Sequence, residues 1–437
     1  MGLLLVAVGA ASALAGCTAR RPPVLEPLAR AETRAPVVLI PGITGSKLRE
    51  RDTGAVRWGN ARSLFFPRDG GYSLALPIGG GGDDRLEAFA PVTEIRLLGL
   101  LRFEIYSSVI RLMEANGYRL GSLDDPHPGD SFFFFPYDWR HGAARSAGEL
   151  ARRLETLRRV RGEPVLRVHL ICQSNAAHIA RYFLKYGGAP LEAAEAGTAA
   201  PERSVEVDKL VLIGAASGGA LRTLEDLQRG RRYVPCVGRR MRPEVVFTMT
   251  ALYEALPFYR DRPFFDEQGR TLEVDLFDGA SWDRYGWSIY APKPSQRASR
   301  ARNQTLFGDR AQRAAFLAGA LDRARRLHAV LLRDVPGFGS TRYYSIQNDA
   351  VPTPDRALLE RRGARWSTRL AFDRRAAERW PLAQAPGDGH ATVESQGRLS
   401  PQEHAALAHP PFRVDARHRK IVLHPEAHRR LLEILAE

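Results

Sequence analysis

Three cysteines in 437 residues are too few for a disulfide framework. With Cys17 set aside, only Cys172 and Cys236 remain, so the fold must stand on its hydrophobic core. The sequence also lacks internal repeats, a phosphate-cradling loop, a nucleotide fingerprint and any spaced cluster of metal-ligand residues. No cofactor and no metal are expected. The apolar run that opens the chain, "MGLLLVAVGAASALAGC", is too short for a comfortable membrane-spanning helix.

What is abundant is positive charge. Lys and Arg number 64 against 49 Asp and Glu, a net +15 with an isoelectric point near 10.1. The arginines are scattered, as in "RRLETLRRVR" and "RGRRYVPCVGRRMR", which describes a solvated surface rather than a nucleic-acid stripe. A nucleic-acid partner is not expected; attraction to an anionic membrane surface is the functional alternative. The opening run reads as a removable targeting segment over residues 1–16, although no Lys or Arg precedes it. Its end, "LAGC", resembles the lipobox of bacterial lipoproteins, which implies lipidation of Cys17 and a lipid-anchored location at a bacterial envelope, facing the periplasm or exterior. A buried N-terminal helix is the competing reading. Residues 17–35, rich in Pro, Ala and Arg, read as a tether.

Five apolar runs punctuate the rest: "PVVLIPG", "DSFFFFPYDWR", "VLRVHLICQS", "DKLVLIGAAS" and "TRYYSIQND". Several are followed by helical patterns, and the chain closes on the amphipathic "EAHRRLLEILAE". Unalternated strands separated by helices predict an α/β domain over 36–437, with a mostly parallel sheet covered on both faces. The rhythm breaks over 49–121 and again, with many aromatics, over about 220–332. The first break reads as an insertion and the second as a cap.

The third run ends in "CQSNA" and a helical pattern starts at once. A nucleophile elbow places a serine on such a strand-to-helix turn, and its flanking positions must be small because backbones press on them. Cys172 and Ala176 meet that need without the usual glycines, leaving Ser174 as either a nucleophile or a buried strand-end serine. An attacking serine needs two N–H donors for the developing oxyanion. Asn175 supplies one candidate, and the Gly42-Ile43 turn after the first strand supplies another. An acid and a histidine should follow the serine. Asp349 in "SIQNDAVPTP" and Asp388 in "PGDGHATVES" are both placed at turns. His390 adjoins the second, while His418, His424 and His428 lie near the end. His418 sits on a loop, from which an imidazole can reach across. Phe258, Phe264 and Trp282 are candidates for an acyl pocket or for plain cap core.

Together these residues resemble the lecithin:cholesterol acyltransferase family of α/β-hydrolases, which includes phospholipid acyltransferases and a phospholipase A2. "VVLIPGITGSKL" is similar to its donor-loop motif, "WGN" at 58–60 to the segment that follows, and "FFPYDWR" to its P-Y-D-W-R signature. "EVVFTMTALYEALP" and "WDRYGW" resemble its cap stretches, and "VPTP" followed by "GDG" its acid turn. The resemblance implies an α/β-hydrolase fold, an acyl-enzyme mechanism on a lipid or phospholipid ester, and a triad of Ser174, Asp388 and His418 with oxyanion donors Ile43 and Asn175. Gln173 stands where the family commonly has histidine, and His390-Ala391 intervene before the Thr-Val that usually follows GDG directly. A catalytically inactive lipid-binding or scaffolding protein and a basic envelope-binding module are the rival expectations.

Overall fold

The computed structural model describes residues 34–437 apart from 66, 68, 79–84, 98–100, 233–238, 291–307 and 371–373. The expected signal segment, Cys17, most of the tether and Cys236 lie outside the described residues.

Seven strands form the central sheet. In chain order they are β1 (Val37–Ile40), β2 (Leu120–Ser122), β3 (Phe132–Phe134), β4 (Leu166–Gln173), β5 (Val205–Ile213), β6 (Arg342–Gln347) and β7 (Phe412–Arg413). Their spatial order is β2-β3-β1-β4-β5-β6-β7, and every neighbouring pair is parallel. The "FFFFPYDWR" strand is shorter than its apolar run: pairing stops at Phe134, and Pro136 has no N–H to continue a ladder. β2 and β7 carry no apolar run and were not expected as strands.

Because successive side chains alternate across a strand, a doubly covered sheet needs apolar residues at every position. Val38, Ile40, Phe133, Leu170, Cys172, Leu210 and Leu212 belong to the core on one face. Val37, Leu39, Phe132, Ile171, Val211 and Ile213 belong to the other. Helices α1 (Ser107–Ala115) and α5 (Pro425–Ala436) cover the second face through Leu112, Met113, Leu431 and Leu432. Helices α2 (Ala143–Arg161) and α3 (Ala176–Tyr186) cover the first, and α4 (Arg310–Leu332) packs on α3 within the same core. Local chemistry sets their ends: an Asp309–Gln312 capping box starts α4, and Gly162, at φ 66°, stops α2 after a last turn holding Arg158, Arg159 and Arg161.

The segment between Ser46 and Pro91 adds a three-stranded antiparallel sheet of Ser46–Glu50, Val56–Trp58 and Leu86–Pro91. In the 220–332 region, Phe247, Leu252, Trp282 and Trp287 join the same core as the first face of the main sheet.

Candidate active site

β4 ends at Gln173 and α3 starts at Ala176, so two residues make the whole turn. Ser174 takes φ 59°, a left-handed value that costs a residue with a Cβ about 1–3 kcal/mol. Neighbours hold it there. The Ser174 amide donates to Ile213 O at 3.2 Å, and the Ala177 and Ala216 amides donate to Ser174 O. Cys172 and Ala176 are fully buried and neither has a positive φ. The motif's glycine positions therefore impose a size limit here, not a backbone one.

His418 bridges the elbow to the acid. Its Nε2 lies 2.8 Å from Ser174 Oγ, and its Nδ1 lies 2.7 Å from Asp388 Oδ2. A carboxylate only accepts, so Nδ1 carries the proton and Nε2 is left to accept from the serine hydroxyl. Asp388 is fully buried, and its Oδ1 accepts from the His390 and Ala391 amides at 2.8 Å each. Its own carbonyl accepts from the His418 amide, so base and acid are locked through backbone and side chain together. Gly389 makes this turn possible at φ +86°.

Asp349 is elsewhere. It is exposed and lies 3.7 Å from Arg413, so the alternative acid does not reach His418. The preceding Asn348 takes the inward position, donating from Nδ2 to Ala416 O and accepting from the Ala350 amide. His424 and His428 belong to the turn and helix beyond, where His428 Nε2 contacts Val422 O at 2.9 Å. The His390 ring sits 4.5 Å from that of His418.

The expected donor loop packs directly on the elbow. A Cβ on Gly42 would meet Ser174 Cβ at 3.1 Å and Gln173 O at 3.3 Å, so a side chain there would press on the elbow. The Ile43 and Asn175 amides have no acceptor among the described residues, and both residues border the same cavity as Ser174. Tyr106 links loop and elbow: its hydroxyl accepts from the Gly42 amide at 3.1 Å and donates to Gln173 Oε1. The Trp58 indole donates to Thr44 O and the Trp139 indole to Ser46 O, each at 3.1 Å, with the two rings 5.2 Å apart. "WGN" and "PYDWR" thus brace the donor loop. Tyr106 carried no signal in the sequence, because its partners are 64 and 67 residues away.

No protein-family model matches the chain, and no curated protein matches it. Its backbone does match a solved structure described as "The crystal structure of Tle4-Tli4 complex", at 13% identity and a TM-score of 0.61, over 92% of this chain and 98% of that one. The fold is that of an α/β-hydrolase. Ser174 occupies the strand-to-helix turn at which an α/β-hydrolase carries its nucleophile.

Ser174 and His418 border a cavity of about 410 Å³, while Asp388 lies buried behind them. Its apolar lining comes from Ile95, Phe103, Ile105, Val422 and Leu423. The aromatics expected as pocket candidates do not line it. Phe264 and Trp282 are fully buried in the core, and Phe258 stacks on His328 with ring centroids 3.8 Å apart. No cluster of three or more His, Cys, Asp or Glu arranged to hold a metal occurs among the described residues.

Proposed function

We propose that the chain is a serine-dependent lipase, phospholipase or acyltransferase acting on a phospholipid or other lipid ester. The observation that carries this reading is the unbroken hydrogen-bonded run Ser174–His418–Asp388 opening on a partly apolar cavity. Ser174 Oγ attacks the ester carbonyl as His418 Nε2 takes its proton. The Ile43 and Asn175 amides hold the oxyanion, each donor being worth about 10²–10³ in rate. Collapse breaks the ester C–O bond, His418 protonates the leaving alcohol, and an acyl-enzyme remains. Water or an acceptor alcohol then gives its proton to His418 and attacks the acyl carbonyl. The proton returns to Ser174, releasing a fatty acid or a new ester. Asp388 fixes the imidazole tautomer and stabilises the imidazolium.

The lecithin:cholesterol acyltransferase resemblance supports a lipid ester as substrate. The lipid anchor at Cys17 and an envelope location belong to the same proposal, supported by "LAGC". The inactive-scaffold reading is disfavoured by the strained Ser174 backbone and the two amides without acceptors, costs that a merely structural turn does not need. Purified protein should hydrolyse p-nitrophenyl butyrate, and Ser174→Ala should lower kcat by about 10⁴-fold or more without lowering Tm. A folded wild-type protein with no turnover would leave the inactive reading in place. Palmitate incorporation in a bacterial host should vanish in Cys17→Ser; incorporation that persists would remove the anchor.

A further inference from the structure

Beside its apolar segment the cavity has a second lining of different chemistry. Arg222, Arg231, Arg232, Arg419 and Lys420 border it, against the carboxylates of Glu104, Glu225 and Asp226. Part of this charge is matched internally. Arg231 lies 2.5 Å from Asp226, and Arg222 lies 3.9 Å from Glu225 and donates to Gly389 O. Two cations are not: among the described residues neither Arg232 nor the Lys420 ammonium has a side-chain partner, and the buried Nε atoms of Arg231 and Arg232 have no acceptor.

The positive field extends to the triad. Burial, the His418 ring and the guanidiniums of Arg231, Arg222 and Arg419 hold His390 well below the ordinary histidine range. His390 itself lines the cavity against His418, and its imidazole has no hydrogen-bond partner among the described residues. Buried donors without acceptors are costly, and guanidinium groups match the paired oxygens of phosphate and carboxylate.

We infer that this basic wall binds an anionic oxygen group of the substrate, a phosphate or a carboxylate, so that the preferred ester is negatively charged. The inference rests on Ser174 being the nucleophile and adds the charge of the substrate to that reading.

Three soluble short-chain esters separate the possibilities: dihexanoylglycerol, dihexanoyl phosphatidylglycerol, and dihexanoylglycerol carrying a succinate on its free hydroxyl. The wild-type protein should favour at least one anionic ester over the neutral one by about tenfold in kcat/KM, as expected for one charge-assisted contact. Preference for the phosphodiester alone assigns phosphate, and preference for the succinate alone assigns carboxylate. Arg232→Gln and Lys420→Gln should each lower the anionic-to-neutral ratio several-fold, and 0.5 M salt should lower it too (about that concentration suffices to screen exposed charge). Equal rates on all three esters, or a ratio unchanged in both variants, would overturn the inference. Calorimetric binding of the same esters to Ser174→Ala protein needs no turnover. Anion-selective binding without any wild-type hydrolysis would sink the nucleophile reading and leave the basic wall standing.

Discussion

His418 and His328 are the same side chain in opposite surroundings, one against a carboxylate and one against a backbone carbonyl. His418 donates to Asp388, faces Ser174 and borders a cavity. His328 is buried among aromatic rings: it stacks on Phe258, meets Phe277 edge-on, and its Nε2 lies 2.7 Å from the Glu254 backbone carbonyl. Burial pushes His328 down to about 3, and burial together with the His328 and Arg181 charges does the same to neighbouring His178. Burial also pushes the Glu254 carboxyl up to about 7, although its Oε2 accepts from the Ala143 amide. Asp388 is fully buried as well, and two amides and an imidazole donate to it. The difference teaches that donors to the charged form, together with open space beside the base, separate machinery from packing.

The comparison breaks most sharply at the acid. Asp388→Asn should cut kcat on a short-chain ester by about 10⁴-fold, since an amide cannot hold the productive tautomer, whereas Asp349→Asn should change it less than about twofold. A larger loss at position 349 would overturn the assignment.

A smaller effect appears in stability against pH. The unfolded chain protonates His178 and His328 below about 6.5, while the folded chain resists until about 3. Their contribution is therefore intact above 6.5 and drains away as pH falls through that window, by about 2 kcal/mol each at about pH 5. Glu254 has the opposite sign. Its folded value lies above its unfolded one, so its contribution is present below about 4.5 and lost as pH rises through 7. Thermal melts between pH 7 and 5 should show His328→Phe flattening the acid loss and Glu254→Gln steepening it. Parallel curves for wild type and both variants would mean that the His328–Glu254 cluster is not sealed.

The smallest expected change sharpens the triad side. Tyr106→Phe removes the acceptor for the Gly42 amide and the partner of Gln173, about 1 kcal/mol of order at the donor loop. A five- to tenfold fall in kcat/KM on the same ester is expected. No change would mean that Trp58 and Trp139 hold the loop without it.

What the sequence could show was local. β1, β4, β5 and β6 were visible because buried parallel strands are continuous apolar runs, and the elbow was visible because strand, serine and helix are adjacent. β2, "LGS", and β7, "FR", were not, since two or three residues beside an established strand need no pattern of their own. Residue patterns alone left Asp349 and Asp388 open, as both follow strand-like runs into turns. Only the fold shows that Asn348 takes the inward place after β6. The cavity's apolar wall was missed because it is assembled from Ile95, Phe103 and Ile105 with Val422 and Leu423, far apart in the chain. Aromatic density instead pointed to the cap, where those rings pack on one another.

The central claim is that Ser174 is a nucleophile activated by His418. Labelling the intact protein with a fluorophosphonate and mapping the tryptic digest tests it directly. The adduct should fall on the peptide Val168–Arg181, whose one serine is Ser174, and should be lost in His418→Gln. Label on a different serine, or ester hydrolysis with Ser174 unlabelled, would contradict it.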